Sequence, residues 1–193
     1  MTRVSTDGLR ERKKAATRAA LSAAALRLTM ERGLDRLRVE DIAAEAGVSP
    51  RTFNNYFSRK EEAVVGNAAT QADRIAAVLR ARPDGEQLWE SLRHVVMQAY
   101  GEPDREAVAT VRLIKAEPSL RAEFVKADLL GQQVLAGEIA ARTGADSGRD
   151  LHSRLAAATV VAVVHTAFDH WLDSPKGTSS AETLSDSFGL ITI

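Results

Sequence analysis

Residues 50–57, Pro-Arg-Thr-Phe-Asn-Asn-Tyr-Phe, set a cation, two amides, a hydroxyl and a phenol around two phenylalanines four positions apart. In a helix Phe53 and Phe57 share one inward face. Pro50, Arg51, Thr52, Asn54, Asn55 and Tyr56 then fall at the helix start or on its outer face. Such a set donates to base edges and phosphates, and either asparagine can make a bidentate contact to adenine. The other residues with chemical potential are four histidines. His165 and Asp169, at i and i+4, share a helix face that Asp173 continues, which would suit proton transfer or half a metal site. No third ligand has legible spacing, so the pair reads as a polar interruption or a hydrogen-bonded pair. No G-x-x-x-x-G-K, G-x-S-x-G or H-E-x-x-H occurs. The absence of cysteine removes thiolate metal sites, cysteine nucleophiles and disulfides. No catalytic set, metal site or cofactor is expected.

The residues around this segment can position it. Val39 to Ala46 reads as a helix with Ile42, Ala43 and Ala46 on one face, Gly47 ends it, and Val48 plugs the corner. Ser49 can cap the next helix and Pro50 suits its first position, where a missing N–H costs nothing. Before this corner, Leu9 to Arg32 forms one helix with Leu21, Ala24, Ala25 and Leu28 inward and Gly33 as its stop. Its start is strongly basic: Arg10, Arg12, Lys13, Lys14 and Arg18, preceded by Arg3, can lie against phosphates. After the corner, Ser58-Arg59-Lys60-Glu61 reads as a capping box opening a helix to about Arg80. Arg59 and Lys60 oppose the helix dipole there, which suits contacts to an anion.

The net charge of zero hides an asymmetry. Residues 1–60 hold 13 Lys and Arg against 7 Asp and Glu, whereas residues 61–193 hold 13 against 19. A polyanion partner for the basic end alone explains both this and the turn. Arg82-Pro83-Asp84-Gly85 is a break, giving expected boundaries of 1–58 for DNA binding, 59–82 for a connecting helix and 83–193 for a second domain. That domain reads as helices over Glu86–Tyr100, Asp104–Ala116, Leu120–Thr143, Leu151–Leu172 and Ala181–Leu190, so the fold class is all-α. Leu151–Leu172 is apolar nearly all round, but Thr159, His165, Thr166, Asp169 and His170 interrupt a stretch barely long enough to span a bilayer. With a polar, charged start at Met1–Arg12, a cytoplasmic protein without membrane contact is expected.

The V-E-D-I-A-A-E-A-G-V-S turn, the R-T-F-N-N-Y-F helix and the following S-R-K-E-E-A-V resemble the TetR family of transcriptional regulators over residues 9 to 65. The segment from about Arg112 to Trp171, with R-L-I-K-A-E-P-S-L-R-A-E-F and G-Q-Q-V-L-A-G-E-I-A-A-R-T-G, resembles the C-terminal domain of the mycofactocin-system regulators. The resemblance implies a helix-turn-helix domain and a helical ligand-binding and dimerisation domain. It further implies a homodimer whose third helices enter the major groove of a palindromic double-stranded operator. By position, Pro50, Arg51, Thr52, Asn54, Asn55 and Tyr56 would face DNA, with Lys60 on a phosphate. The chain departs from the family's pattern twice. Arg38 stands where Thr or Ser usually caps the second helix, and can bind phosphate by charge instead; Asn54 stands where an aromatic residue is common.

Dimerisation is expected through the last two helices packing as a four-helix bundle, with Ala156, Ala157, Ala158 and Ala162 permitting close approach. Trp89, Leu92, Val96, Tyr100, Ile114, Phe124 and Phe168 are the candidate walls of a pocket for a small hydrophobic effector; the subgroup resemblance suggests an acyl-CoA. Three functions compete on these residues. The first is a ligand-responsive repressor, and the second a DNA-binding dimer with no small ligand. The third, an enzyme using His165 and Asp169, lacks a catalytic constellation.

Overall fold

The structure is a computed structural model that describes residues 6–146, 150–175 and 177–191. Every regular element among them is a helix. The chain divides into two compact units. The first comprises residues 1–69 and 110–127, the second residues 70–109 and 128–193.

In the first unit, α1 (Thr6–Arg32) owes its length to alanines and unbranched side chains and stops at Gly33, whose φ is +82°. The amide of Gly33 closes the last turn on Thr29 O at 2.8 Å. The corner after α2 (Val39–Glu45) has the hydrogen bonds of a Schellman cap. Gly47, at φ +68°, donates to Ala44 O at 3.1 Å, and Val48 donates to Ala43 O at 2.9 Å. α3 (Pro50–Asn54) opens with Thr52 N donating to Ser49 Oγ at 3.1 Å and with Pro50 in its first turn. Leu21, Ala25, Leu28, Ile42, Phe53, Phe57 and Val64 form the core of this unit, joined by Ile114 and Leu120 from the later segment.

Two expectations for the next helix are corrected. Ser58 does not form a box with Glu61; its N–H and hydroxyl both donate to Glu62 Oε2 at 2.8 Å, because α4 begins at Lys60 with Arg59 as its cap. Nor is the helix continuous to Arg80. It breaks at Val65 into α4 (Lys60–Val64) and α5 (Gly66–Arg80). Gly66 lies where a Cβ would fall on Ser22 Oγ and 3.2 Å from Phe57 Cε1, so the missing side chain is what lets α1 approach.

In the second unit, the rest of α5 joins α6 (Leu88–Tyr100), α9 (Leu151–Asp173), α10 (Ser180–Gly189) and the parts of α7 (Arg105–Ala116) and α8 (Pro118–Thr143) that belong to it. Asp150 accepts from Ser153 N at 2.8 Å and Ser179 from Glu182 N at 3.2 Å, capping α9 and α10. The core joins Ile75, Leu79, Leu92, Val95, Leu135, Ile139, Val160, Val164, Leu184 and Phe188. Because Ile75 and Leu79 bury their side chains here, the break at 82–85 falls inside this unit and not at its edge. That turn is tied down locally. Arg82 and Glu86 pair, Arg142 Nη1 donates to Arg82 O at 3.2 Å, and the guanidinium and Ser91 hydroxyl hold the Glu86 carboxyl down to about 2.

α9 is long and apolar enough to cross a membrane by length and composition. Its buried face, including Ala156, Ala157, Val160, Val163 and Val164, is instead spent on the core of this unit. Ala156 and Ala157 are therefore internal, a correction to their expected place at a dimer interface. Leu151, Leu155 and Ala162 are exposed and Ala158 half-buried along one side of the helix.

Candidate nucleic-acid interface

α3 presents its polar residues as the spacing of Phe53 and Phe57 requires. The two rings are fully buried with centroids 5.7 Å apart. Pro50, Arg51, Asn54 and Asn55 are exposed, and Thr52 and Tyr56 half-buried. The helix is shorter than the motif suggests. Asn55 is already its C-cap, and Tyr56 N and Phe57 N both bond Phe53 O, at 2.9 and 3.0 Å, so Asn55 and Tyr56 stand on the exit turn. Thr52 Oγ1 lies 2.9 Å from Ser49 Oγ, so its hydroxyl is engaged in the cap.

A groove beside these residues is lined by Leu9, Arg10, Lys13, Lys14 and Thr17 of α1 and by Thr52, Asn55 and Tyr56. It joins the basic face of α1 to the polar side chains of α3 and its exit turn. Three cations on one wall and amide, hydroxyl and phenol groups on the other match a phosphate backbone running beside base edges. Thr17 lies outside the sequence expectation; its place at i+4 from Lys13 and i+3 from Lys14 is the local signal for it. Arg12 turns back, its Nε donating to Gly8 O at 3.1 Å. Arg18 leaves the basic face altogether for the exit turn of α3, where it bonds Tyr56 O at 2.9 Å. Arg3 lies outside the described residues.

Arg38 is exposed in extended backbone and, as expected of a residue without a hydroxyl, makes no side-chain cap to α2. Lys60 is less free than its sequence position implies. Its Nζ donates to Leu34 O at 2.8 Å and Leu37 O at 3.0 Å, closing the loop between α1 and α2. Two of three ammonium donors are thus committed to backbone carbonyls. Lys60→Met is expected to destabilise the first unit by about 1 to 2 kcal/mol, since it leaves those carbonyls without a charged donor. Urea denaturation measures this. An unaltered midpoint, with the salt slope of DNA binding lowered by about one, would make Lys60 a phosphate contact instead.

Five of the seven expected effector-lining residues belong to the second unit and two to the first. Leu92 and Val96 are fully buried in the core of the second unit, where Trp89 packs on Phe188 at 5.0 Å. Tyr100 and Phe168 meet edge-on at 6.0 Å, and Phe168 meets Trp171 at 5.8 Å. Ile114 and Phe124 pack with the core of the first unit, because residues 110–127 belong to it. A polar group not foreseen from the sequence lies beside the aromatic set. Asp128 Oδ1 is 3.5 Å from His165 Nε2, and Asp128 Oδ2 accepts from Gln132 at 3.5 Å. Burial pushes the Asp128 carboxyl up, with His165 opposing it, and burial together with the Asp128 charge pushes the Tyr100 phenol up to about 12. His165 thus has a partner on α8 in addition to the possibility on its own helix. No group of three His, Cys, Asp or Glu that could hold a metal occurs among the described residues.

Comparison with known proteins gives the family. Residues 21–65 match the family model for bacterial regulatory proteins of the tetR family, and residues 86–192 match the MftR C-terminal domain. The second match alone covers more than half of the chain. The chain belongs to the TetR family. The HTH-type transcriptional regulator TcmR of Streptomyces glaucescens is 32% identical over 173 residues, covering 85% of this chain and 76% of its own. The putative mycofactocin biosynthesis transcriptional regulator MftR of Mycobacterium tuberculosis is 25% identical, covering 93% and 91%. A solved structure of a putative TetR-family regulator from a Rhodococcus species superposes with a TM-score of 0.58 at 23% identity, covering 91% and 96%. This TetR-family protein is accordingly a transcriptional regulator with an MftR-type C-terminal domain, and its relatives are regulators and not enzymes. DNA binding and dimerisation are properties of the family to which it belongs.

Proposed function

We propose that this TetR-family protein is a cytoplasmic, ligand-responsive repressor that binds a palindromic operator as a homodimer and is released by a small hydrophobic effector. The observation that carries the reading is the groove in which Arg10, Lys13 and Lys14 of α1 face Asn55 and Tyr56 beside the exposed Arg51 and Asn54. Cations there supply sequence-independent attraction, and the amides and guanidinium supply base contacts. In a symmetric dimer the two recognition helices meet half-sites about one helical turn, roughly 34 to 36 Å, apart. The exposed Leu151, Leu155 and Ala162 along α9, with α10, are the surface assigned to the dimer.

For the effector, Trp89, Tyr100 and Phe168 supply half-buried aromatic surface in the second unit, and Asp128 with His165 supplies a polar end. An acyl-CoA is the candidate ligand, on the strength of the MftR-type C-terminal domain. It would act by preferring the arrangement that does not fit the operator, with a coupling of about 1 to 3 kcal/mol.

Selection of bound duplexes from a random pool, repeated with saturated acyl-CoAs of several lengths, tests all of this. A palindromic consensus is expected, with affinity reduced when the effector is present. In Arg51→Ala, operator affinity is expected to fall by about 1 to 3 kcal/mol with relaxed preference at one base pair per half-site. Enrichment of no sequence would end the operator reading. Enrichment that is indifferent to every acyl-CoA would end the acyl-CoA reading alone.

A further inference from the structure

We propose that Arg18 is a positioning residue for the recognition helix: it locks the exit of α3 to α1 and thereby sets operator affinity and base selectivity without touching DNA. The proposal rests on the reading that α3 enters the groove. Arg18 lies one turn after Lys14 in the basic run of α1, and by sequence it belongs with the phosphate contacts. Its side chain does something else. Nη1 donates to Tyr56 O at 2.9 Å, the guanidinium carbon sits 4.3 Å over the Phe57 ring, and Nη2 lies 3.8 Å from Glu62 Oε1. Glu62 Oε2 in turn accepts the N–H and the hydroxyl of Ser58, both at 2.8 Å. Backbone and side chains of residues 56–58 are therefore gathered from two sides, by an arginine of α1 and a glutamate of α4.

A helix of five residues cannot hold its own direction. It has barely more than one turn of internal hydrogen bonds, and its last carbonyls have no helical partner. Its orientation comes from what anchors it. Phe53 and Phe57 wedge it into the core, a contact that resists withdrawal more than rotation. The Arg18 fork adds direction, because a planar guanidinium can stack on Phe57 and donate in its own plane to Tyr56 O at once. Lysine, with a compact ammonium on a flexible stem, cannot do both. The readers Asn54 and Asn55 lie immediately before the clamped carbonyl, so loosening the clamp lets them swing relative to α1. The charge of Arg18 is met by Glu62, whereas Arg10, Lys13 and Lys14 line the open groove.

The test compares Arg18→Met and Arg18→Lys with Lys14→Met, all in the full chain, for binding to the selected operator and to a non-operator duplex across a range of salt. Amide hydrogen exchange at Tyr56, Phe57 and Ser58 is followed without DNA. Arg18→Met is expected to weaken operator binding at least about tenfold while hardly changing non-operator binding or the salt slope. Arg18→Lys should fail to restore affinity, and the three amides should exchange faster in both variants. Lys14→Met should lower the slope by about one on both duplexes. Equal loss on both duplexes with a slope reduced by about one, restored by Arg18→Lys, would make Arg18 a phosphate contact and overturn the proposal. Unchanged affinity or unchanged exchange would overturn it too. If Arg18→Met unfolds the unit, Arg18→Lys carries the same comparison. If the wild-type protein prefers no sequence, the operator reading fails by itself, and the exchange rates still decide whether Arg18 clamps the exit.

Discussion

Phe53→Ala is expected to destabilise the first unit by about 3 to 5 kcal/mol and to abolish operator binding at temperatures where the native protein is folded. Phe53 is fully buried, faces Phe57, and stands in one cluster with Leu21, Leu28 and Ile42. A short helix offers its neighbours little else to close around the void, so the cavity term is added to the lost transfer free energy. Against a total of about 5 to 15 kcal/mol for a typical domain, this is a large share. The measurement must report on the right unit. Both tryptophans, Trp89 and Trp171, belong to the second unit, so fluorescence follows that unit and hydrogen exchange across α1–α3 is needed for the first. Phe53→Leu, which keeps most of the volume, should retain folding and part of the affinity. Native exchange protection across α1–α3 in Phe53→Ala would show that Phe53 is not the keystone described.

What could be read from the sequence followed the range of the interaction. Gly33, Gly47, Ser49 and Pro50 act on backbone within four residues, so these signals fix the end of α1, the corner after α2 and the start of α3, though not its end. The inward pair Phe53 and Phe57 followed from helical periodicity in the same way. Partners distant in the chain were not legible. Lys60 closes on carbonyls 23 and 26 residues earlier, and Arg18 reaches a carbonyl 38 residues later. Both have the composition and position of phosphate ligands, and packing alone diverts them. The break at Val65 has the same origin, because a close approach of α1 to Gly66 is a tertiary fact. Arg82-Pro83-Asp84-Gly85 is a turn, but the compact units are set by where Ile75 and Leu79 bury their side chains. For the same reason Ile114 and Phe124 went to the first core while Tyr100 and Phe168 stayed in the second. Asp128 and His165, on different helices and 37 positions apart, had no local signature to join them.

Substitutions at Gly47 are expected to rank Asn, Ala, Val in increasing damage, with Gly47→Val costing about 2 to 3 kcal/mol and Gly47→Ala about 1. The ranking isolates one cause. A Cβ built at Gly47 meets nothing within 4 Å, so the alanine variant adds no crowding with residues packed around the corner. What remains is the φ of +68°, a region that no described non-glycine residue of this chain occupies. Asparagine tolerates it best among the three, and a β-branched side chain tolerates it least. Two hydrogen bonds depend on that φ, from Gly47 N to Ala44 O and from Val48 N to Ala43 O. If valine forces the backbone away from it, both are strained and the angle between α2 and α3 changes even where the unit stays folded. Operator affinity should therefore fall by more than the loss of stability alone explains, at least about thirtyfold for Gly47→Val, while Gly47→Asn stays near wild type. Equal affinity in Ala and Val variants would show that the corner does not depend on its left-handed residue. Stability loss without affinity loss would separate the corner from the reading of DNA.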